Sequence, residues 1–466
     1  MKETKRRNPL GEENINKLLR QFAVPSIIAM LVSSLYNIVD QFFIGRSIGE
    51  LGNAATNISF PLSISCVAIA LLFGIGGAAA FNISMGQSEK NSDEKEKAAF
   101  FMGNSITMLF GCGLILLVIT QIFLTPMLRF FGSPDNVMDY ARVYTRIVSF
   151  GFPFVILATG GGNLLRADGS PKYTMICNVT GAIINTILDA IFVFVFGWGM
   201  AGAAYATIIG QIASCGMVVF FLSRCKTVKI KKSHLVLKPQ YVGRITSLGA
   251  APCSNQLAMM VVQIFMNKSL KHYGSLSVYG EAIPIACAGI ISKVNMIYMS
   301  FIIGISQGLQ PIVSYNYGSG NYKRVKKAYV LACTYGLIIS IIAFSLFQFA
   351  PRQIISVFGN GSEAYYEFAT KYFRIFLFFT FINFIQPISS NFYTAIGKPL
   401  GGILLSLTRQ IIFLLPLLII IPLFIGMDGI MYSGPIADIM AAIVCIIMIL
   451  RELKREEYNT HYRDQL

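Results

Sequence analysis

Two carboxylates stand deep inside apolar stretches of this chain: Asp40, in the run Tyr36-Asn37-Ile38-Val39-Asp40-Gln41-Phe42-Phe43, and Asp189, in Asn185-Thr186-Ile187-Leu188-Asp189-Ala190-Ile191-Phe192. An ionised carboxylate at the centre of a membrane helix costs about 2.5–3.5 kcal/mol, so each asks for a partner, a proton or a cation. Asn185 and Asp189 are four residues apart, which places a carboxamide and a carboxylate on one helical face. Asn163 and Thr207, in neighbouring apolar stretches, add a second amide and a hydroxyl. Two acids, two amides and a hydroxyl suit a hard cation such as Na⁺, or two acids sharing a proton. The alternative is that Asp40 and Asp189 satisfy each other or helix-end backbone in a packed bundle.

The surroundings of these residues set what can position them. Of 466 residues, 55% are hydrophobic and 13% charged, and the mean hydropathy is +0.62. Such a chain has too much apolar surface for a soluble core and reads as a membrane protein. A helix crosses the hydrocarbon in roughly 20 apolar residues. Spans are expected at 21–45, 51–86, 98–126, 137–165, 172–196, 199–223, 243–270, 281–316, 326–349, 365–396, 400–424 and 429–450. This leaves no segment for a separate catalytic domain, so no enzymatic activity is expected. The expected fold class is an all-α membrane protein with twelve transmembrane helices.

The formal net charge of +16 could point to nucleic acid, but 27 of the 38 Lys and Arg residues fall on one side of the twelve-span layout. Basic residues concentrate in cytoplasmic loops, so both termini are expected in the cytoplasm and no nucleic-acid partner is expected. The first apolar stretch is long, carries Asp40 and lacks a small-residue cleavage site, which argues for a retained helix rather than a signal peptide. The nine cysteines are scattered through apolar segments with no C-x-x-C pair, as small buried hydrophobes would be.

The halves repeat. Pro25 recurs as Pro252, Phe131-Gly132 as Phe358-Gly359, Arg146-Ile147 as Arg374-Ile375, Asn163 as Asn391, Gly169-x-Pro171 as Gly397-x-Pro399 and Gly199-Met200-x-Gly202 as Gly426-Met427-x-Gly429, all at an offset of 227 or 228. Each unit holds six spans, an even number, so the repeat is parallel and predicts two six-helix bundles with a solute site between them. The expected division is 1–225 for a first lobe holding the cation site, 226–240 for a basic cytoplasmic linker, and 241–466 for a second lobe with a short cytoplasmic tail. No Walker-type G-x-x-x-x-G-K-[ST] occurs, which argues against direct ATP drive. The acidic pair is not repeated: at an offset of 227, Asn267 stands for Asp40 and Pro416 for Asp189.

The second half has its own charges, Glu281, Lys293, Arg409 and Asp438. They either face the central cavity or, for Lys293 and Arg409, pair with Asp438. Glu281 is a candidate contact for a cationic solute. Pro25 removes a backbone hydrogen bond ahead of Asp40 and is a candidate hinge or a static kink.

Pro25-Ser-Ile-Ile-Ala-Met, Tyr36 to Gly45, Asn185 to Phe194, and Gly202-Ala-Ala-Tyr-Ala-Thr207-Ile-Ile-Gly-Gln211 resemble the corresponding segments of the multidrug and toxic compound extrusion (MATE) transporters, especially the bacterial MepA-like branch. The resemblance covers essentially the whole chain. It implies two six-helix bundles in a V shape in the plasma membrane, and export of organic cations and drugs in exchange for Na⁺ or H⁺, with no other cofactor. The first-lobe cation site maps onto Asp40, Asn185, Asp189 and Thr207, with Asn163 beside them, and these are the ligands expected for Na⁺. Tyr36 and Glu281 are candidates for the solute cavity. A monomer in the lipid bilayer is expected, with amphipathic organic cations as partners. A flippase for lipid-linked saccharides is the alternative, disfavoured because a pyrophosphate would ask for a cationic cavity.

Overall fold

The computed structural model describes residues 8–133, 135–280, 282–358 and 363–454. Among them every regular element is helical. Eleven helices are long and apolar enough to cross a bilayer, and a bent pair of shorter ones makes the twelfth span. The first bundle comprises α1 (Ile15–Ile48), α2 (Glu50–Gln87), α3 (Asp93–Ile122), the bent pair α4 (Asp135–Ser149) and α5 (Phe152–Ala167), α6 (Pro171–Asp189) and α7 (Gly199–Ser223). The second comprises α8 (Pro239–Ser275), α9 (Ala282–Ser319), α10 (Tyr322–Phe349), α11 (Glu363–Phe376) with α12 (Ile385–Ala395), α13 (Pro399–Leu407) with α14 (Leu415–Ile425), and α15 (Met427–Leu453).

The repeat is visible in the backbone as well as in the residues. Gly169 and Gly397 both take positive φ, at 81° and 75°, and each is followed by a proline that opens the next helix, Pro171 in α6 and Pro399 in α13. Only glycine enters that region without steric cost, and proline fits the first helical turn because its missing N–H has no partner there. Gly199 and Gly426 form a second such pair, at 54° and 59°.

Two spans expected as single helices are broken. The segment 137–165 bends by 55° between α4 and α5, where Pro153 lies in the first turn of α5 and cannot donate a hydrogen bond back into α4. The segment 365–396 is interrupted between α11 and α12 by a short 3₁₀ turn, Thr380–Ile382. The fifth span of each bundle also departs from α geometry. A π-helical turn, Ala190–Val195, follows α6, and another, Thr408–Leu414, joins α13 to α14.

In lipid there is little hydrophobic drive between helices, so close packing through small residues does the work. A methyl group on Gly76 would strike the Ile245 carbonyl, and one on Gly249 the Leu72 carbonyl, so α2 and α8 touch backbone to backbone. Gly304 and Gly308 of α9 press in the same way on Ile27 and Ala23 of α1. These α2–α8 and α1–α9 contacts join the two bundles. The large exposed apolar side chains, such as Ile115, Val118, Ile122, Leu423, Phe424, Ile443 and Ile447, lie on helices long enough to span the bilayer, where lipid would cover them.

The bundles are also tied by side-chain hydrogen bonds, several of them beside the segment that leads into α1. Asn316 Nδ2 donates to Leu10 O at 2.9 Å, and Arg324 Nη2 donates to Leu10 O at 3.1 Å and to Glu13 O at 2.7 Å. Tyr315 of α9 donates to Glu89 at 2.5 Å, and Gln310 Nε2 donates to Ile75 O at 3.1 Å. The basic linker is a docked strap. Asn104 of α3 donates to His234 O and Val236 O at 3.0 and 3.1 Å and accepts from Lys238 N at 2.9 Å, while Asp168 accepts from the backbone N–H groups of Lys226 and Thr227.

Candidate ion-coupling site in the first bundle

Asn185 and Asp189 fall one turn apart on the buried face of α6, at 2% and 0% exposure. Glycine lets α7 approach them: a Cβ on Gly210 would stand 2.7 Å from the Gly181 carbonyl and 2.9 Å from the Asn185 Cβ. The approach places Thr207 of α7 beside Asn185, whose Nδ2 donates to Thr207 Oγ1 at 3.4 Å. The threonine hydroxyl itself donates to Ala203 O at 3.0 Å, so a lone pair of Oγ1 faces the amide. The π-helical turn begins directly after Asp189; such insertions are frequent at functional sites because they re-aim side chains within an otherwise regular helix.

The remaining groups come from α1 and α4. Tyr36 and Asp40 are one turn apart on α1. Tyr36 lies close to Thr207 and to both acids, and the Asp40 and Asp189 carboxyls are near enough to interact directly. Tyr144 of α4 lies near Asp40, Tyr36 and Asp189. Among the described residues, Asp40 Oδ1, Asn185 Oδ1 and both carboxylate oxygens of Asp189 are buried without a hydrogen-bond donor. Buried polar atoms are ordinarily satisfied, so these donor-free acceptor oxygens set up a demand for positive charge. A proton shared between the acids, or a hard monovalent cation held by carboxylate, amide and hydroxyl oxygens, answers it.

The other expected residues are placed differently. Asn163 of α5 points into a separate contact: its oxygen accepts from Arg166 Nη2 at 2.5 Å and its Nδ2 donates to Thr159 O at 3.1 Å. Tyr36 reaches the acid cluster. Pro25 lies within α1, which continues through it as one helix. The adjacent residues Ala23 and Ile27 carry the contacts to Gly308 and Gly304 of the second bundle, and Asp40 is about four turns farther along. Glu281 lies outside the described residues. In the second bundle Arg409 Nε meets Asp438 Oδ1 at 2.6 Å, and no ion pair involves Lys293 among the described residues. Tyr144 and Asn383 were not singled out from the sequence. Tyr144 sits in an amphipathic helix and carries no charge that would mark it in an apolar run, and Asn383 falls at a helix break that hydropathy does not reveal.

Two repeated six-helix bundles joined along their inner helices, one of them holding a buried, donor-poor oxygen cluster, define a multi-pass membrane transporter. The chain belongs to the MATE family: the family model described as MatE matches residues 25–191 and 253–420, one stretch in each bundle. It is 23% identical over 439 residues to the multidrug export protein MepA of Staphylococcus saprophyticus, covering 94% of each chain. Against MepA of Staphylococcus aureus strain N315 it is 23% identical over 436 residues, with 93% of each covered. Among solved structures, the MATE multidrug transporter DinF-BH in complex with R6G superposes with a TM-score of 0.88 at 30% identity, covering 99% of this chain and 100% of that one. A MATE structure in complex with MaL6 gives a TM-score of 0.89 at 21% identity, covering 97% and 99%.

Proposed function

We propose that the chain is a secondary active multidrug efflux antiporter of the plasma membrane. It exports amphipathic, cationic organic compounds in exchange for Na⁺ or H⁺, with both termini in the cytoplasm, and works as a monomer. The observation that carries this reading is the donor-poor cluster of Asp40, Asp189, Asn185 and Thr207. The names of the MepA relatives and of the DinF-BH structure support multidrug export.

The chemistry follows from charge. Two ionised carboxylates side by side in a medium of low dielectric repel each other, and the repulsion is relieved when positive charge binds between them. Filling the cluster draws α1, α6 and α7 together around one centre, which changes the packing of α1. Because α1 also carries the Ala23 and Ile27 contacts to α9, ion entry and the junction of the two bundles share one helix. Driven by an inward ion gradient, this shared helix couples ion binding to outward release of the solute.

The test uses cells expressing the full chain and loaded with the cationic dye ethidium. The wild type lowers dye retention, and Asp40→Asn and Asp189→Asn restore it to the level of cells lacking the protein at equal membrane abundance. Retention equally low in both variants would remove the cluster from the mechanism.

A further inference from the structure

The second bundle holds a buried carboxylate of its own, and its state is the reverse of that in the first. Asp438 of α15 is 2% exposed, accepts from Arg409 Nε at 2.6 Å on Oδ1 and from Asn383 Nδ2 at 2.9 Å on Oδ2. Both oxygens are therefore satisfied, whereas neither oxygen of Asp189 has a donor among the described residues. Arg409 sits in the π-helical turn of the second bundle's fifth span, and Asp189 directly before the π-helical turn of the first bundle's fifth span. Asn383 stands at the end of the 3₁₀ break between α11 and α12. Tyr298 of α9 closes the group: its hydroxyl bonds Ser340 at 2.7 Å and Thr380 O at 3.1 Å and feels both charges.

The fold does not need this pair. At an offset of 227, Ala182 stands for Arg409 and Gln211 for Asp438, and the first bundle builds the same six spans with neither charge. A buried ion pair is also weak as a source of stability, because desolvation consumes most of the Coulombic gain. What Arg409 does provide is a permanent positive charge on a carboxylate that would otherwise need a mobile one.

We infer that Asp438 is an ion site whose occupant is built into the chain. The Arg409 guanidinium takes the place of the coupling cation, so the second bundle takes up no ion and the first alone sets the ion-to-solute ratio. The inference rests on the first-bundle reading above for that ratio, but not for its own test. Removing Arg409 frees Asp438 for a proton or a small cation.

The test is ion binding by the purified full chain, with ²²Na⁺ at equilibrium and, without Na⁺, infrared titration of the protonated carboxyl stretch. In Asp40→Asn/Asp189→Asn protein neither ²²Na⁺ binding nor a carboxyl stretch that Asp438→Asn removes is expected; adding Arg409→Met should create one, and adding Asp438→Asn should abolish it again. Overturning results are ion binding in Asp40→Asn/Asp189→Asn protein that Asp438→Asn removes, or no ion gained on removing Arg409. If Arg409→Met aggregates, the pair deletion Arg409→Met/Asp438→Leu decides: it should be monodisperse and transport with the wild-type ion-to-solute ratio, and a changed ratio refutes the inference. A wild type that binds no ion speaks against the first-bundle reading alone, because the gain on removing Arg409 is read independently of it.

Discussion

Asp40 and Asp189 meet carboxyl to carboxyl inside the first bundle, one from α1 and the other from the last turn of α6. Asp40 Oδ1 and both Asp189 oxygens have no donor among the described residues. Two acids in contact without donors form an arrangement that only added positive charge makes stable.

Asp40→Asn and Asp189→Asn should each abolish gradient-driven export while leaving folded, membrane-inserted protein. Replacing one carboxylate by its amide removes a charge and adds a donor without changing volume, so the bundle loses no packing. Size-exclusion chromatography should show wild-type monodispersity beside export at the level of empty liposomes. Aggregation of both variants would mean that the pair is structural.

The pH dependence follows from competition. Protons and Na⁺ seek the same carboxylates, so lowering the pH fills the cluster with protons and raises the Na⁺ concentration needed for half-maximal export. Thr207→Val keeps shape and removes one neutral oxygen, and should weaken apparent Na⁺ affinity roughly tenfold, about 1.4 kcal/mol. Titrating Na⁺ at several fixed pH values measures both effects. Unchanged Na⁺ dependence in Thr207→Val and Asn185→Leu would assign the neutral oxygens to packing.

The junction of the two bundles depends on backbone contact between α2 and α8. Gly249→Ala places a methyl group into the Leu72 carbonyl and should push the bundles apart there, lowering export severalfold with ion binding to the first bundle retained. Accessibility of a cysteine introduced at Leu72 should rise in that variant; an unchanged labelling rate would show that the seam relaxes without opening.

The linker strap should contribute to stability rather than to coupling. Asn104 is fully buried and makes three hydrogen bonds to the segment 234–238. Asn104→Ala leaves the buried His234 carbonyl without this donor, at about 1–3 kcal/mol, while water can replace the bonds at the more exposed Val236 and Lys238. A lower thermal midpoint with an unchanged ion preference is expected. A cysteine at the exposed Ser233 should resist impermeant reagents in intact cells if the proposed orientation, with the strap in the cytoplasm, holds.

Much of the fold was legible because the bilayer imposes lengths: apolar runs gave the spans, and Gly169-x-Pro171 with Gly397-x-Pro399 gave the repeat. The breaks were not. Pro153 lies in a run whose hydropathy continues on either side, so 137–165 reads as one helix although it bends by 55°. Asp40, Asp189, Asn185 and Thr207 stood out because buried charge is costly and helical spacing is regular. Their neighbours depend on how helices cross. Tyr144 reaches the acids from α4, and Asn163 turns instead to Arg166. Arg166, one of the 27 basic residues expected on the cytoplasmic side, is only 3% exposed; a charge bias along the chain carries no information about burial.

The most direct measurement is dye export from liposomes containing the purified protein, with Na⁺ and pH gradients imposed independently, for the wild type and for Asp40→Asn/Asp189→Asn. Wild-type export driven by an inward Na⁺ or proton gradient, absent without a gradient and absent in the double variant under either, is the predicted result. Gradient-driven export that survives in the double variant would contradict the assignment of coupling to the Asp40–Asp189 cluster.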